Sequence, residues 1–156
     1  MVKRIRSKDI NNECPSHKSD VTTFPRARID GMLSYVEPTA NMNPIMVVLM
    51  CGTNDLRDEK PDRMAKKLVN LALKVNEKVE KVAASSTVHR GDSHNLEFKG
   101  KEVNRLVRES LENHGIDFIA RDNIKAQNLN KRGLPLNDNE NNLLVVNFFD
   151  CINSTA

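Results

Sequence analysis

Two short stretches of the chain hold residue types that can do chemistry. Gly91-Asp92-Ser93 follows the small, β-forming run "VAASSTV" and is flanked by His89 and His94. A hydroxyl with imidazoles beside it offers a nucleophile and a general base. Gly52-Thr53-Asn54-Asp55 follows the apolar run "IMVVLMC". There Gly52 lets the backbone turn tightly, Asn54 presents a side-chain amide donor for charge developing on an oxygen, and Asp55 can tie the loop down through its own backbone hydrogen bonds. Each stretch also has a plainer reading. Ser93 with Asp92 and Asn95 makes an ordinary polar turn ahead of a helix, and histidines in polar loops are usually solvated. His114 stands at a helix end beside Gly115, where a cation suits the helix dipole, and His17 lies in a polar segment.

The elements that must position these residues are legible as hydrophobic periods. Residues 45–51, bounded by Pro44 and Gly52, read as a strand buried on both faces of a parallel sheet. Pro61 suits a first helical turn, and Met64, Leu68, Leu71, Ala72, Val75 and Val79 recur at helical spacing behind it. A strand is expected over 82–88. Val103, Leu106, Val107 and Leu111 then make one apolar helix face that Gly115 closes, and 116–120 make a further strand. The tail from Asp138 to Ile152, with Glu140 in its first turn and Leu143, Leu144, Phe148 and Cys151 on one side, reads as a closing helix. Upstream, 20–24 reads as a strand, and Ile29, Met32, Leu33 and Val36 as a short helix ending at Pro38. The order implies an α/β fold: a doubly wound, mostly parallel sheet with helices on both faces. Ligands in such sheets sit at the carboxyl ends of the strands, where "CGTNDL" lies.

Composition narrows the function classes. The 156 residues fit one domain, with 38% hydrophobic and 29% charged residues and no Trp. A net charge of +3, with one basic concentration at Lys3, Arg4, Arg6 and Lys8, lacks the segregation and the module of a nucleic-acid binder. Cys14, Cys51 and Cys151 are odd in number and widely spaced, so neither a disulfide framework nor a zinc site follows, and neither a metal nor a cofactor is expected. The N-terminus has no apolar run behind its basic residues and no segment is long enough to cross a membrane, so an intracellular, cytoplasmic location is expected.

An apolar strand followed by Gly52-Thr53-Asn54-Asp55 resembles the third sequence block of the SGNH (GDSL-type) hydrolases. "TTFPRARIDGMLSYVEPT" resembles the second block and its helix, and "LNKRGLPLND" the segment carrying the last block. The resemblance runs from about Val21 onward. It implies a flavodoxin-like three-layer fold over 21–156, a polar segment over 1–20, and acyl-ester hydrolysis by a Ser nucleophile, a Gly backbone donor, an Asn donor and a His base. Asn54 matches the oxyanion-hole Asn, with Gly52 and Asp55 as loop support. The second-block Gly falls at Arg26, and the last-block His falls at Pro135. The nucleophile block belongs on a strand ahead of residue 20, where the sequence has no Gly-Asp-Ser, and the fold is expected to lack that first strand. Gly91-Asp92-Ser93 stands on the wrong side of Asn54 for that role. The implied function is an esterase domain acting on small esters, inactive as given for want of nucleophile and base; the alternative is a non-catalytic interaction or remnant domain.

Overall fold

The computed structural model describes residues 11, 18–87, 93–123 and 138–154, and within 138–142 the backbone alone. Its elements are helix α1 (Ile29–Ala40), strand β1 (Met46–Leu49), helix α2 (Pro61–Asn76), strand β2 (Lys81–Ser85), helix α3 (His94–Glu112), strand β3 (Asp117–Ile119) and helix α4 (Asp138–Asn153). The strands form a parallel sheet in the order β1-β2-β3.

Register divides the core in two. Val47 pairs with Val82 and Leu49 with Ala84, so these four side chains share one face, and α1, α2 and α3 cover it through Met32, Leu68, Val75, Val103, Val107 and Leu111. The alternate residues point the other way. Val48 pairs with Ala83 and Ser85 with Ile119, and on that face α4 lays Val145, Phe148 and Cys151, joined by Val21. Both β1-α2-β2 and β2-α3-β3 step along the sheet in one direction, which puts α2 and α3 on the same side when crossovers keep one hand.

Several expectations change in detail. Met46 and Val48 are only half-buried, so β1 is not buried equally on both faces; the face they share holds the smaller of the two clusters. Strand β2 ends at Ser85 rather than 88. Residues 20–24 form no strand, because the chain turns at once: the Ala27 N–H donates to the Phe24 carbonyl at 3.2 Å, with Pro25 and Arg26 between. Helix α1 continues past Pro38 to Ala40. The proline ring denies the Ser34 carbonyl its helical donor, but both residues are exposed and water can satisfy it.

Candidate functional site

The loop after β1 reaches the carboxyl end of the sheet and is braced from several directions. Gly52 has φ 104°, in the region that favours glycine, and a Cβ there would lie 3.1 Å from Thr87 Cγ2. Thr87 is itself fixed by Asn104 of α3, whose Oδ1 accepts from the Thr87 N–H at 2.8 Å and from its hydroxyl at 2.9 Å. Lys99 Nζ donates to the Leu56 and Glu59 carbonyls at 3.1 and 3.2 Å, which ties the loop to α3. Lys67 of α2 joins Glu59 and Asp30, both at 2.7 Å, and Arg28 pairs with Asp58.

Asp55 is the loop's keystone. Its N–H donates to the Gly52 carbonyl at 3.0 Å, and its own carbonyl accepts from Asp58 and Glu59 at 3.1 and 2.9 Å. Its carboxylate Oδ2 accepts from the Ile29 N–H at 3.3 Å and so serves the first turn of α1, whose own N-cap residue Arg28 offers no side-chain acceptor. Asp55 is 1% exposed, and Oδ1 meets no donor among the described residues. Burial raises its pKa, partly opposed by the Ile29 N–H and the charges of Arg28 and Lys67. The same burial, with Asp55 nearby, pushes the Cys51 thiol up to about 12.

Asn54 is exposed in this loop, at the carboxyl end of β1. Its Nδ2 donates to the Ala27 carbonyl at 2.9 Å, which fixes the amide plane and leaves a second N–H on the same nitrogen. Ala27 closes the turn Phe24-Pro25-Arg26-Ala27. Pro25 in its second position and Arg26 at φ 64° in its third make it a type II turn, whose third position ordinarily takes glycine. The position where the resemblance calls for Gly therefore has glycine's backbone conformation and an arginine side chain. The third-block and second-block segments are thus joined directly, through Asn54 and Ala27.

Ser93 is placed elsewhere. It is the N-cap of α3, in extended conformation, and its Oγ accepts from the Leu96 N–H at 3.4 Å. His94 is the exposed first residue of that helix, and among the described residues no hydrogen bond joins Ser93 to His94 or to Asn54. His89 and Pro135 lie outside the described residues. His114 Nδ1 lies 2.7 Å from the Ser110 carbonyl at the end of α3, the structural role expected of it.

Two polar features were missed in the sequence. Asn104 interrupts the apolar stripe of α3 between Val103 and Val107, which is a readable signal of an inward-facing hydrogen bond. Arg121, 2% exposed, follows β3 at the same carboxyl end and donates through Nε to Ser86 Oγ at 3.0 Å. An arginine directly after an apolar strand was its only trace. An open groove of about 550 Å³ runs along β3, lined by Arg108, Glu112, Asp117 and Phe118 among others, and takes in none of the Asn54 loop. Among the described residues no group of three or more His, Cys, Asp or Glu side chains gathers to hold a metal ion, and no helix is long and apolar enough to cross a membrane.

A parallel sheet with helices on both faces, a braced Gly-Thr-Asn-Asp loop at its carboxyl end and a Gly-like turn docked against that loop define an SGNH-hydrolase-like α/β fold. Solved structures bear this out. The chain is similar to an acetyl xylan esterase, AlAXEase, with a TM-score of 0.72 at 18% identity over 84% of this chain and 79% of that one. It is similar to a member of the lipolytic protein G-D-S-L family from Veillonella parvula, with a TM-score of 0.68 at 21% identity over 81% and 75%. It is also similar to an alpha/beta hydrolase from the metagenome of Lake Arreo, Spain, with a TM-score of 0.73 at 12% identity over 96% and 79%. No family model matches the chain. No curated protein matches its sequence.

Proposed function

We propose that the chain is an acyl-ester-recognising domain of SGNH type that does not itself turn esters over. The observation that carries this reading is the place of Asn54. It stands on a braced loop at the carboxyl end of β1, with its amide oriented by the Ala27 carbonyl and a second N–H on the same nitrogen, the kind of donor an oxyanion hole needs. Esterases among the structural neighbours, including the acetyl xylan esterase, make short acyl esters the substrate class to test. The inactive half of the reading rests on chemistry. Ser93 caps α3 and makes no hydrogen bond to a histidine among the described residues, and the position the resemblance gives to the base is Pro135, which has none to offer. Without nucleophile and base, a site retains only binding and oxyanion stabilisation, and loses several orders of magnitude in rate.

The test is hydrolysis of p-nitrophenyl acetate by the purified chain beside Ser93→Ala and Asn54→Ala. All three are expected to match the buffer rate closely. Robust turnover lost in Ser93→Ala would overturn the reading and restore Gly91-Asp92-Ser93 as a nucleophile motif. A non-catalytic interaction domain is the second reading. It is favoured by the same capping role of Ser93, and it predicts no response of the Asn54 amide to any acyl compound.

A further inference from the structure

Strand β3 is paired on one side and open on the other. On the paired side the Ser86 N–H donates to the Ile119 carbonyl at 3.0 Å, and Ala83 and Ser85 of β2 stand opposite Asp117 and Ile119. In a parallel strand the N–H and C=O of one residue point the same way and those of the next residue the other way, so Asp117 and Ile119 bond to β2 while Phe118 and Ala120 direct theirs outward. The Ala120 carbonyl accepts from Asn147 Nδ2 at 3.3 Å, which leaves the N–H and C=O of Phe118 and the N–H of Ala120 on the open edge. Among the described residues no strand pairs with them there. The groove of about 550 Å³ is lined by this edge and by the end of α3. Its charge is uneven. Arg108 lies 5.2 Å from the centroid of the Phe118 ring and is bridged to Asp122 at 3.2 Å, whereas Glu112 and Asp117 are exposed and make no ion pair among the described residues. Asp117, opposite Ala83, belongs to the α4 face of the sheet, and Glu112 to the α3 side.

We propose that the open edge of β3 takes up an extended, basic peptide segment of a partner protein as an added strand. Main-chain pairing to Phe118 and Ala120 supplies the attraction. Lysine or arginine side chains at alternate positions supply the selection, because each face of the added strand has an unbalanced carboxylate to meet, Glu112 on one and Asp117 on the other. A second copy pairing through its own β3 would set these carboxylates against their like, and an acidic peptide meets the same repulsion. The groove takes in none of the Asn54 loop, so this docking edge and the ester-recognising reading stand or fall separately.

The experiment is a titration of the full ¹⁵N-labelled chain with acetyl-Lys-Val-Lys-Val-Lys-amide at constant ionic strength, followed by NMR; its β-branched valines favour the extended form. Saturable shifts of the Phe118 and Ala120 backbone amides are expected, with slower hydrogen exchange at both. The double variant Glu112→Gln, Asp117→Asn changes two exposed side chains and should weaken the peptide about threefold or more, in the range of two surface ion pairs. Acetyl-Glu-Val-Glu-Val-Glu-amide should bind more weakly still. The basic peptide N-methylated at two adjacent residues, so that one blocked nitrogen faces β3 in either register, should lose the exchange protection. No shift at Phe118 and Ala120 overturns the proposal. A methylated peptide that protects both amides as well as the unmodified one overturns strand addition. Equal binding of the acidic peptide, or binding unchanged in the double variant, overturns the basic assignment.

Discussion

Arg26 and Asp55 each sit in an environment that a different residue would suit better. A left-handed backbone costs a non-glycine residue about 1–2 kcal/mol, against which the extra freedom of glycine in the unfolded chain must be set. Arg26→Gly should therefore raise stability by about 0.5–1 kcal/mol, read as a higher urea midpoint with unchanged slope. Asp55 has a folded pKa raised above its ordinary value, first by burial and also by Asp30, with the Ile29 N–H, Arg28 and Lys67 acting in the opposite sense. A raised folded pKa means that this group's stabilisation is complete below the unfolded value, about 3.9, and is lost as pH rises through the folded one. Asp55→Asn keeps an oxygen for the Ile29 N–H and does not titrate. Its stability relative to the native chain should improve between pH 4 and pH 8, and urea midpoints of the two proteins that keep a constant gap would falsify the assignment.

At the scale of elements, the boundaries are set as much by capping as by apolar period. Ser93→Ala removes the acceptor for the Leu96 N–H and should cost about 1 kcal/mol, while Ser93→Asp, another good cap, should restore most of it. Chemical denaturation of the two variants decides the matter. A Ser93→Ala chain as stable as the native one would mean that the hydroxyl does no capping. Helices α2 and α3 were legible because Met64, Leu68 and Val75 in one and Val103, Val107 and Leu111 in the other repeat with the helical period and are buried in the core. The run 20–24 misled because Val21, Thr23 and Phe24 are β-formers by type, whereas Pro25 and the turn it starts decide the local path. The Asn54 loop was readable from Gly52 and the strand before it. The Ala27 carbonyl that orients Asn54, and the carboxylate that Asp55 lends to α1, were not, since both join segments far apart in sequence.

At the scale of the whole molecule, among the described residues one face of the sheet is covered by α1, α2 and α3 and the other by α4 with Val21. Phe148 and Val145 of α4 pack on Ala83 and Ile119, with Val21 at the margin. Phe148→Ala should therefore cost about 3 kcal/mol or more, and the loss should appear as early exposure of apolar surface to a hydrophobic dye on mild heating. A thermal midpoint within a degree of the native one would show that α4 contributes little to that face.

The parallel ladder also fixes the order in which a growing polypeptide can be completed. Met46 meets Lys81 and Ala83 meets Asp117, so each rung waits for an intervening helix to leave the ribosome, at about 5–20 residues per second. The face beneath α1, α2 and α3 acquires its cover as translation proceeds, because those helices precede or separate the strands. The face of Ala83 and Ile119 waits for α4, whose Val145, Phe148 and Cys151 are made after every strand. During that interval it lacks its α4 cover, and a chaperone that binds apolar sheet surface has its longest opportunity on that side.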